Sequence, residues 1–228
     1  MIRVQELAKT FDRRPVVKRV SFEAPDRAIT GLLGANGAGK TTTLRMICGV
    51  LTPSGGSIAV DDAPADDDLD RRRRIGALLD HIGIYSRLTV RENLVYFGKL
   101  RGMEPALLAR RVDQVISTLC MEAIADRRTA GFSQGERMKT ALGRAILHSP
   151  RNLILDEPTN GLDVPSVRAL RELLRRLRDE GTCIIFSSHV LEEVRALCDN
   201  VAVISHGSVV ANGAPAEICN EEAFLKLC

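Results

Sequence analysis

With 228 residues and 45% hydrophobic side chains, the chain can bury a sizeable core as one domain, or as one domain carrying a subdomain. Its net charge of +3 gives no bulk pull toward nucleic acid, and 4% aromatic content without any Trp argues against base stacking. No apolar run approaches the roughly 20 residues of a membrane span, and residues 1–10 mix Arg, Gln, Glu and Lys with apolar residues, unlike a signal peptide, so a membrane role has to come through a partner.

In chain order, residues 2–5 read as a strand, followed by two short strands at 16–17 and 20–22. Residues 29–33 form an apolar run that reads as a buried strand. Gly34, Ala35, Asn36, Gly37, Ala38, Gly39, Lys40, Thr41 and Thr42 follow it, and 43–47 reads as a helix. Strand, glycine loop and helix are the context of a phosphate-binding loop. The glycines let backbone N–H groups turn inward as an anion nest, and the helix adds its positive dipole end. Lys40 can then reach the β- and γ-phosphates of a nucleotide, and the Thr41 hydroxyl can ligate Mg²⁺.

Residues 58–60 offer another strand. Residues 66–74 switch from acidic to basic, which suits a short helix with a solvated face; the basic run could instead be a nucleic-acid patch. From about 90 to 125 the pattern turns helical, with Leu107, Leu108, Val112, Val115, Ile116 and Leu119 at helical spacing. A helical subdomain spanning about 82–140 is therefore expected as an insert in an α/β core. A further helix over 135–148 places Met138, Leu142, Ala145 and Ile146 on one face and stops at Pro150.

Residues 153–155 are a buried strand. Asp163 is a natural N-cap, Pro165 suits the first turn, Val167, Leu170, Leu174 and Leu177 make the core face, and Gly181 ends that helix. Residues 183–186 are the next strand, Val190, Val194 and Leu197 mark a helix, and 201–204 with 208–210 form a hairpin around His206 and Gly207. Cys48, Cys120, Cys183, Cys198, Cys219 and Cys228 are scattered singly, with no paired or zinc-type spacing, and read as reduced thiols.

Two further motifs carry chemistry. The strand at 153–155 delivers Asp156 and Glu157 to its C-terminal end, where ligands sit in open α/β sheets. Asp156 would hold Mg²⁺ through water, and Glu157 would polarise the water that attacks the γ-phosphate. Phe132-Ser133-Gln134-Gly135-Glu136 stands directly before a helix, with Ser133 as N-cap. It reads either as a plain helix start or as a second anion site built from a hydroxyl, a bare glycine backbone and a helix N-terminus.

The order of glycine loop, helical insert, Ser-x-Gly signature, apolar-Asp-Glu and a later His resembles the ATP-binding subunits of ABC transporters over the whole chain. The resemblance implies an ABC-type P-loop NTPase fold, α/β with a mixed sheet core. It implies ATP and Mg²⁺ as cofactors, and a pair of subunits, here a homodimer, sandwiching two ATP molecules. Ser133 and Gly135 would then act in trans on the partner's phosphate loop. Ser187-Ser188-His189 resembles the switch histidine that contacts the γ-phosphate. Residues 160–163 resemble the loop coupling the two sites, and Phe11 stands where the family places an aromatic against adenine. Two departures stand out: Asp80 occupies the position of the usual lid Gln, able to reach Mg²⁺ or a water but without an amide donor, and Gln134 and Glu136 replace the commoner Gly and Gln of the signature.

Residues 87–94 and 158–163 resemble exporters of the sodium-efflux (NatA) and drug-resistance type, and residues 131–148 lean toward sodium efflux. The implied protein is an ATP hydrolase on the cytoplasmic face of the inner membrane, driving a separate membrane-spanning permease, with no nucleic-acid partner. Two competing readings are a soluble ABC ATPase of DNA maintenance or translation, and a catalytically dead regulatory subunit. The first is disfavoured by an interval of only about 90 residues between loop and signature without sustained heptads, and the second by intact Lys40, Asp156, Glu157 and His189.

Overall fold

The computed structural model describes residues 1–61, 63–64, 68–79 and 83–218, with backbone alone at 63–64 and 68–70. Asp80, Cys219 and Cys228 lie outside the described residues, as do Asp66 and Asp67.

Strands β1 (Ile2–Phe11) and β2 (Arg14–Ala24) pair antiparallel, and Asp12 and Arg13 close the hairpin at φ 42° and 66°. Two consecutive left-handed residues match the twist of the flanking strands. The two short strands expected at 16–17 and 20–22 are one strand. Leu7 faces Val20 and Lys9 faces Val17, so β2 uses three steps where β1 uses two. That bulge breaks strict alternation, which is why the pattern reads as two pieces.

The remaining strands are β3 (Ile29–Leu33), β4 (Gly55–Val60), β5 (Ala63–Pro64), β6 (Ile75–Leu78), β7 (Asn152–Asp156), β8 (Cys183–Ser188), β9 (Asn200–Ser205) and β10 (Ser208–Gly213). The helices are α1 (Lys40–Ile47), α2 (Asp68–Arg74), α3 (Val90–Leu100), α4 (Pro105–Thr118), α5 (Gln134–Ile146), α6 (Val164–Asp179), α7 (Leu191–Leu197) and α8 (Pro215–Ile218). The sheet order is β5-β4-β1-β2-β10-β9-β3-β8-β7-β6. The strands from β9 to β6 run parallel, whereas β1, β2, β4 and β5 form an antiparallel lobe. The fold is thus α/β with a mixed sheet.

The parallel strands are buried on both faces, and β3, β7 and β8 are buried at every position, as fits strands covered by helices on both sides. One core lies between the sheet and α3–α7, centred on Leu94, Leu147, Leu174 and Phe186; the other lies under α1, centred on Leu32, Leu44, Met46 and Ile47. Helix starts follow local chemistry: Thr89 and Glu92 make a capping box on α3, and Asp163 accepts from Ser166 N at 3.0 Å to cap α6, whose end is followed by Gly181 at φ 111°.

Three local expectations are corrected. The basic run of α2 keeps an exposed face at Arg72 and Arg73, but Arg71 is not part of it. Arg71 is buried and donates to Met46 O at 2.7 Å, and Arg72 Nε donates to Gly49 O at 3.2 Å. Both cations close the carbonyl end of α1, where the helix dipole is negative. Leu107 is exposed, because it stands about 100° round the helix from Leu108, which packs inward with Val112, Val115 and Ile116. Val190 caps α7 from outside and is half-exposed. Cys48, Cys120, Cys183 and Cys198 are free thiols, and burial pushes the Cys48 and Cys183 thiols up to about 12, leaving them inert.

Candidate active site

The site forms because three neighbouring parallel strands end together. Leu33 of β3 is in register with Ser188 of β8, and Ser187 of β8 is in register with Asp156 of β7. Everything that follows those strands emerges at one edge of the sheet, the ligand edge of open α/β folds.

The loop after β3 is shaped by its glycines, through close backbone packing at Gly34 and left-handed φ at Gly37 and Gly39. A Cβ on Gly34 would stand 2.2 Å from Ile204 O, and Gly37 and Gly39 adopt φ 83° and 108°. Gly39 is the N-cap of α1 and offers no side-chain cap. The first N–H groups of α1 therefore face the loop cavity, where an anion can serve as their acceptor. The β9–β10 turn buttresses the loop from behind, with Gly207 N donating to Ala38 O at 3.0 Å.

Lys40 is buried, and its ammonium donates to Gly34 O at 2.7 Å and Ala35 O at 3.2 Å. It also lies 3.3 Å from Glu157 Oε1. Thr41 Oγ1 donates to Asp156 Oδ2 at 2.7 Å, and Ser187 Oγ donates to Asp156 Oδ1 at 2.5 Å. Ser187 Oγ in turn accepts from Glu157 N at 2.9 Å. Glu157 sits at φ 47°, a left-handed conformation that is costly for a residue with a Cβ. That turn swings its carboxylate back over the loop, between Lys40 and His189, whose Nδ1 is 2.8 Å from Glu157 Oε2.

Lys40, Thr41, Asp156, Glu157 and His189 are thus brought together by the structure. Phe11 ends β1 at the hairpin tip, half-exposed, with the Lys9 ammonium 5.2 Å from its ring centre. Its hairpin borders the loop through β2, since Val16 O stands 3.2 Å from where a Cβ on Gly39 would be. Ser133 and Gly135 are placed apart. Among the described residues no hydrogen bond joins either to residues 34–42. Ser133 Oγ accepts from Glu136 N at 3.2 Å, and Glu136 Oε2 accepts from Ser133 N at 2.9 Å. Ser133 N–H donation holds the Glu136 carboxyl below its ordinary range, with Arg127 adding to the effect.

Several residues take roles at the site that their motifs do not assign to them. Ser187 links Asp156 to Glu157, a role that follows from its place in register with Asp156 and so needs the strand pairing. Gln134 donates from Nε2 to Asn160 O at 2.8 Å, so the signature touches the loop after β7. Glu193 of α7 accepts from both Thr159 and Ser188. A cleft of about 760 Å³, bordered by Arg27, Arg111, Arg151 and Arg176, lies at the opposite edge of the sheet and shares no residue with this site.

The ABC transporter family model matches residues 17–160. The ABC transporter ATP-binding protein NatA of Bacillus subtilis is 41% identical over 220 residues, covering 94% of this chain and 89% of its own. The linearmycin resistance ATP-binding protein LnrL of the same organism is 32% identical, covering 96% of this chain and 71% of its own. A solved structure described as an ATP binding subunit of an ABC transporter superposes with a TM-score of 0.90 at 27% identity, over 100% of this chain and 99% of that one.

Proposed function

The chain belongs to the ABC transporter ATP-binding family, and on that premise we propose that it powers export through a separate membrane-spanning permease. It is an ATP-binding subunit and an ATPase. The observation that carries the division of roles is Glu157 held between Lys40 and His189 at 3.3 and 2.8 Å.

In this reading the backbone of residues 34–42 wraps the phosphates, and Lys40 exchanges its carbonyl partners for the β- and γ-phosphate oxygens. Glu157 takes the proton of the attacking water, and His189 contacts the γ-phosphate while fixing the Glu157 carboxylate. Phe11 stacks on adenine. Thr41 Oγ1 and Asp156 Oδ2 stand one hydrogen bond apart, two hard oxygens from different elements, which fits Mg²⁺ completed by water and phosphate. Bound Mg²⁺ would neutralise charge on the phosphate oxygens. Asp80 is assigned to the same ion or its waters, from the lid position.

Ser133 and Gly135 are assigned to the nucleotide of a second, identical copy, which is supported by their separation from the chain's own loop. Closing of the two copies on ATP and reopening after hydrolysis would drive the permease. The helical subdomain at about 82–140 would receive it. Half-exposed Tyr85 and Tyr96 and exposed Leu100 lie just beyond residue 82, with Tyr85 and Tyr96 ring centres 5.0 Å apart. Apolar surface of this kind suits a partner helix. No helix among the described residues is long and apolar enough to cross a membrane, consistent with a peripheral place on the cytoplasmic face of the membrane.

Sodium efflux is the preferred transport, supported by the likeness to NatA; export of drugs is the second reading, supported by the likeness to LnrL. Sodium flux in vesicles holding the chain with its permease separates the two. For the chemistry, Glu157→Gln should bind ATP and cease to hydrolyse it, and wild-type turnover in that variant would overturn the base assignment.

A further inference from the structure

We propose that Glu193 is a positioning residue for hydrolysis: one carboxylate oxygen ties together the two loops that present Glu157 and His189. The proposal rests on the roles given to those two residues above. Glu193 lies in the first turn of α7. Its Oε2 accepts from Thr159 Oγ1 at 2.8 Å and from Ser188 Oγ at 2.7 Å. Thr159 stands two residues beyond Glu157, and Ser188 immediately precedes His189. Both hydroxyl-bearing residues are buried, Thr159 at 6% exposure and Ser188 at 0%.

The Ser188 hydroxyl also accepts from Val190 N at 3.0 Å, so the turn bearing His189 is pinned on both sides of the ring. The loop after β7 is closed by Asn160 N donating to Glu157 O at 3.2 Å. Glu157 and His189 therefore meet at 2.8 Å at one end of a ring of bonds, and Glu193 closes the other end. Hydrogen bonds to a carboxylate are short and strong, and buried hydroxyls that lose an acceptor reorient or draw in water. Either change would release the two loops independently. The preceding residue provides the contrast: Glu192 is exposed and, among the described residues, pairs with Arg195 on its own helix, at 3.1 Å.

The test uses the full chain and reads kcat, KM and nucleotide affinity separately. Glu193→Ala should lower kcat about tenfold while KM and nucleotide affinity stay within about twofold, because misplaced groups cost rate more than binding. Glu193→Gln should keep most of the rate, since an amide oxygen can accept from both hydroxyls, and Glu192→Ala should match wild type. Thr159→Val should lower kcat alone and add little in the Glu193→Ala background. Wild-type kcat in Glu193→Ala, a rise in KM matching the loss of kcat, or a Gln variant as poor as the Ala variant would each overturn the proposal. If Glu193→Ala does not fold, Thr159→Val and Ser188→Ala decide it, and unchanged kcat in both overturns it. Glu157→Gln measured alongside keeps the two claims separate: an inactive Glu157→Gln with a fully active Glu193→Ala sinks only the role of Glu193.

Discussion

Two helices of this molecule start at turns suited to an anion, and they start differently. Helix α1 begins from Gly39 with no side-chain cap, behind a loop in which Gly34 has no room for a Cβ and Gly37 and Gly39 adopt left-handed φ. Helix α5 begins from Ser133 with a complete capping box, so a carboxylate of the chain already occupies its N-terminus. The open start needs an outside acceptor and is ringed by Lys40, Asp156, Glu157 and His189. The closed start is self-sufficient as a helix end, and among the described residues no hydrogen bond joins its hydroxyl or glycine to that ring. The difference teaches that a helix N-terminus becomes a nucleotide site when the chain withholds its own cap. A capped one can lend contacts to a phosphate bound elsewhere.

The contrast can be broken most strongly at α1. Lys40→Ala should cut turnover by at least roughly 10²-fold and weaken nucleotide binding, because its buried ammonium lies inside the loop against Gly34 O and Ala35 O; turnover and binding of a fluorescent nucleotide check it. A smaller effect is expected at α5. Ser133→Ala should cost about 1 kcal/mol of stability through the lost cap, leave binding to the isolated chain unchanged, and reduce turnover wherever two copies close. Thermal melts and ATPase rates at two protein concentrations separate these effects.

Glu136→Gln sharpens the comparison rather than breaking it. Glutamine still serves a capping box, but it removes a negative charge from the end that would approach phosphate, which Arg127 at 3.2 Å only partly offsets. The variant should lower the ATP concentration needed for half-maximal turnover by about twofold to fivefold, a difference near 0.4–1 kcal/mol. An unchanged value would place Glu136 away from any phosphate.

The smallest expected effect lies far from both helix starts. Burial, with Arg101 beside it, pushes His148 down to about 4, and Arg101 Nη1 donates to its Nε2 at 3.0 Å. The unfolded chain takes up this proton near pH 6.5 and the folded chain only near 4, so stability should fall as pH drops through that window. His148→Gln should flatten that part of the melting-temperature profile without changing turnover at neutral pH.

Much of the architecture was legible where one local signal decides one local structure. The loop at 34–42, the strands ending at Asp156 and Ser188, the Asp163 cap, the Gly181 stop and the β9–β10 hairpin each carry their own marker. The misread parts depend on partners remote in sequence. Arg71 looks like surface charge until Met46 O, 25 residues earlier, accepts from it. Glu193 looks like any helix glutamate until Thr159, 34 residues away, donates to it. The unity of β2 needs the register of β1, and the burial of Leu108 over Leu107 needs α3 on one side only. The candidate site divides the same way: its charged groups stand at strand ends that the pattern marks, while the bonds that Ser187 and Glu193 make around them depend on strand pairing and on contacts remote in sequence.

The most direct test of the account is complementation. Purified Lys40→Ala and Ser133→Ala chains, each of reduced turnover alone, are mixed and assayed for ATP hydrolysis. If the capped helix of one copy serves the open helix of another, mixed pairs contain one site with an intact loop and an intact signature, and turnover should recover to about a quarter of wild type for random pairing of two copies. A mixture no more active than its separate components would contradict the trans arrangement.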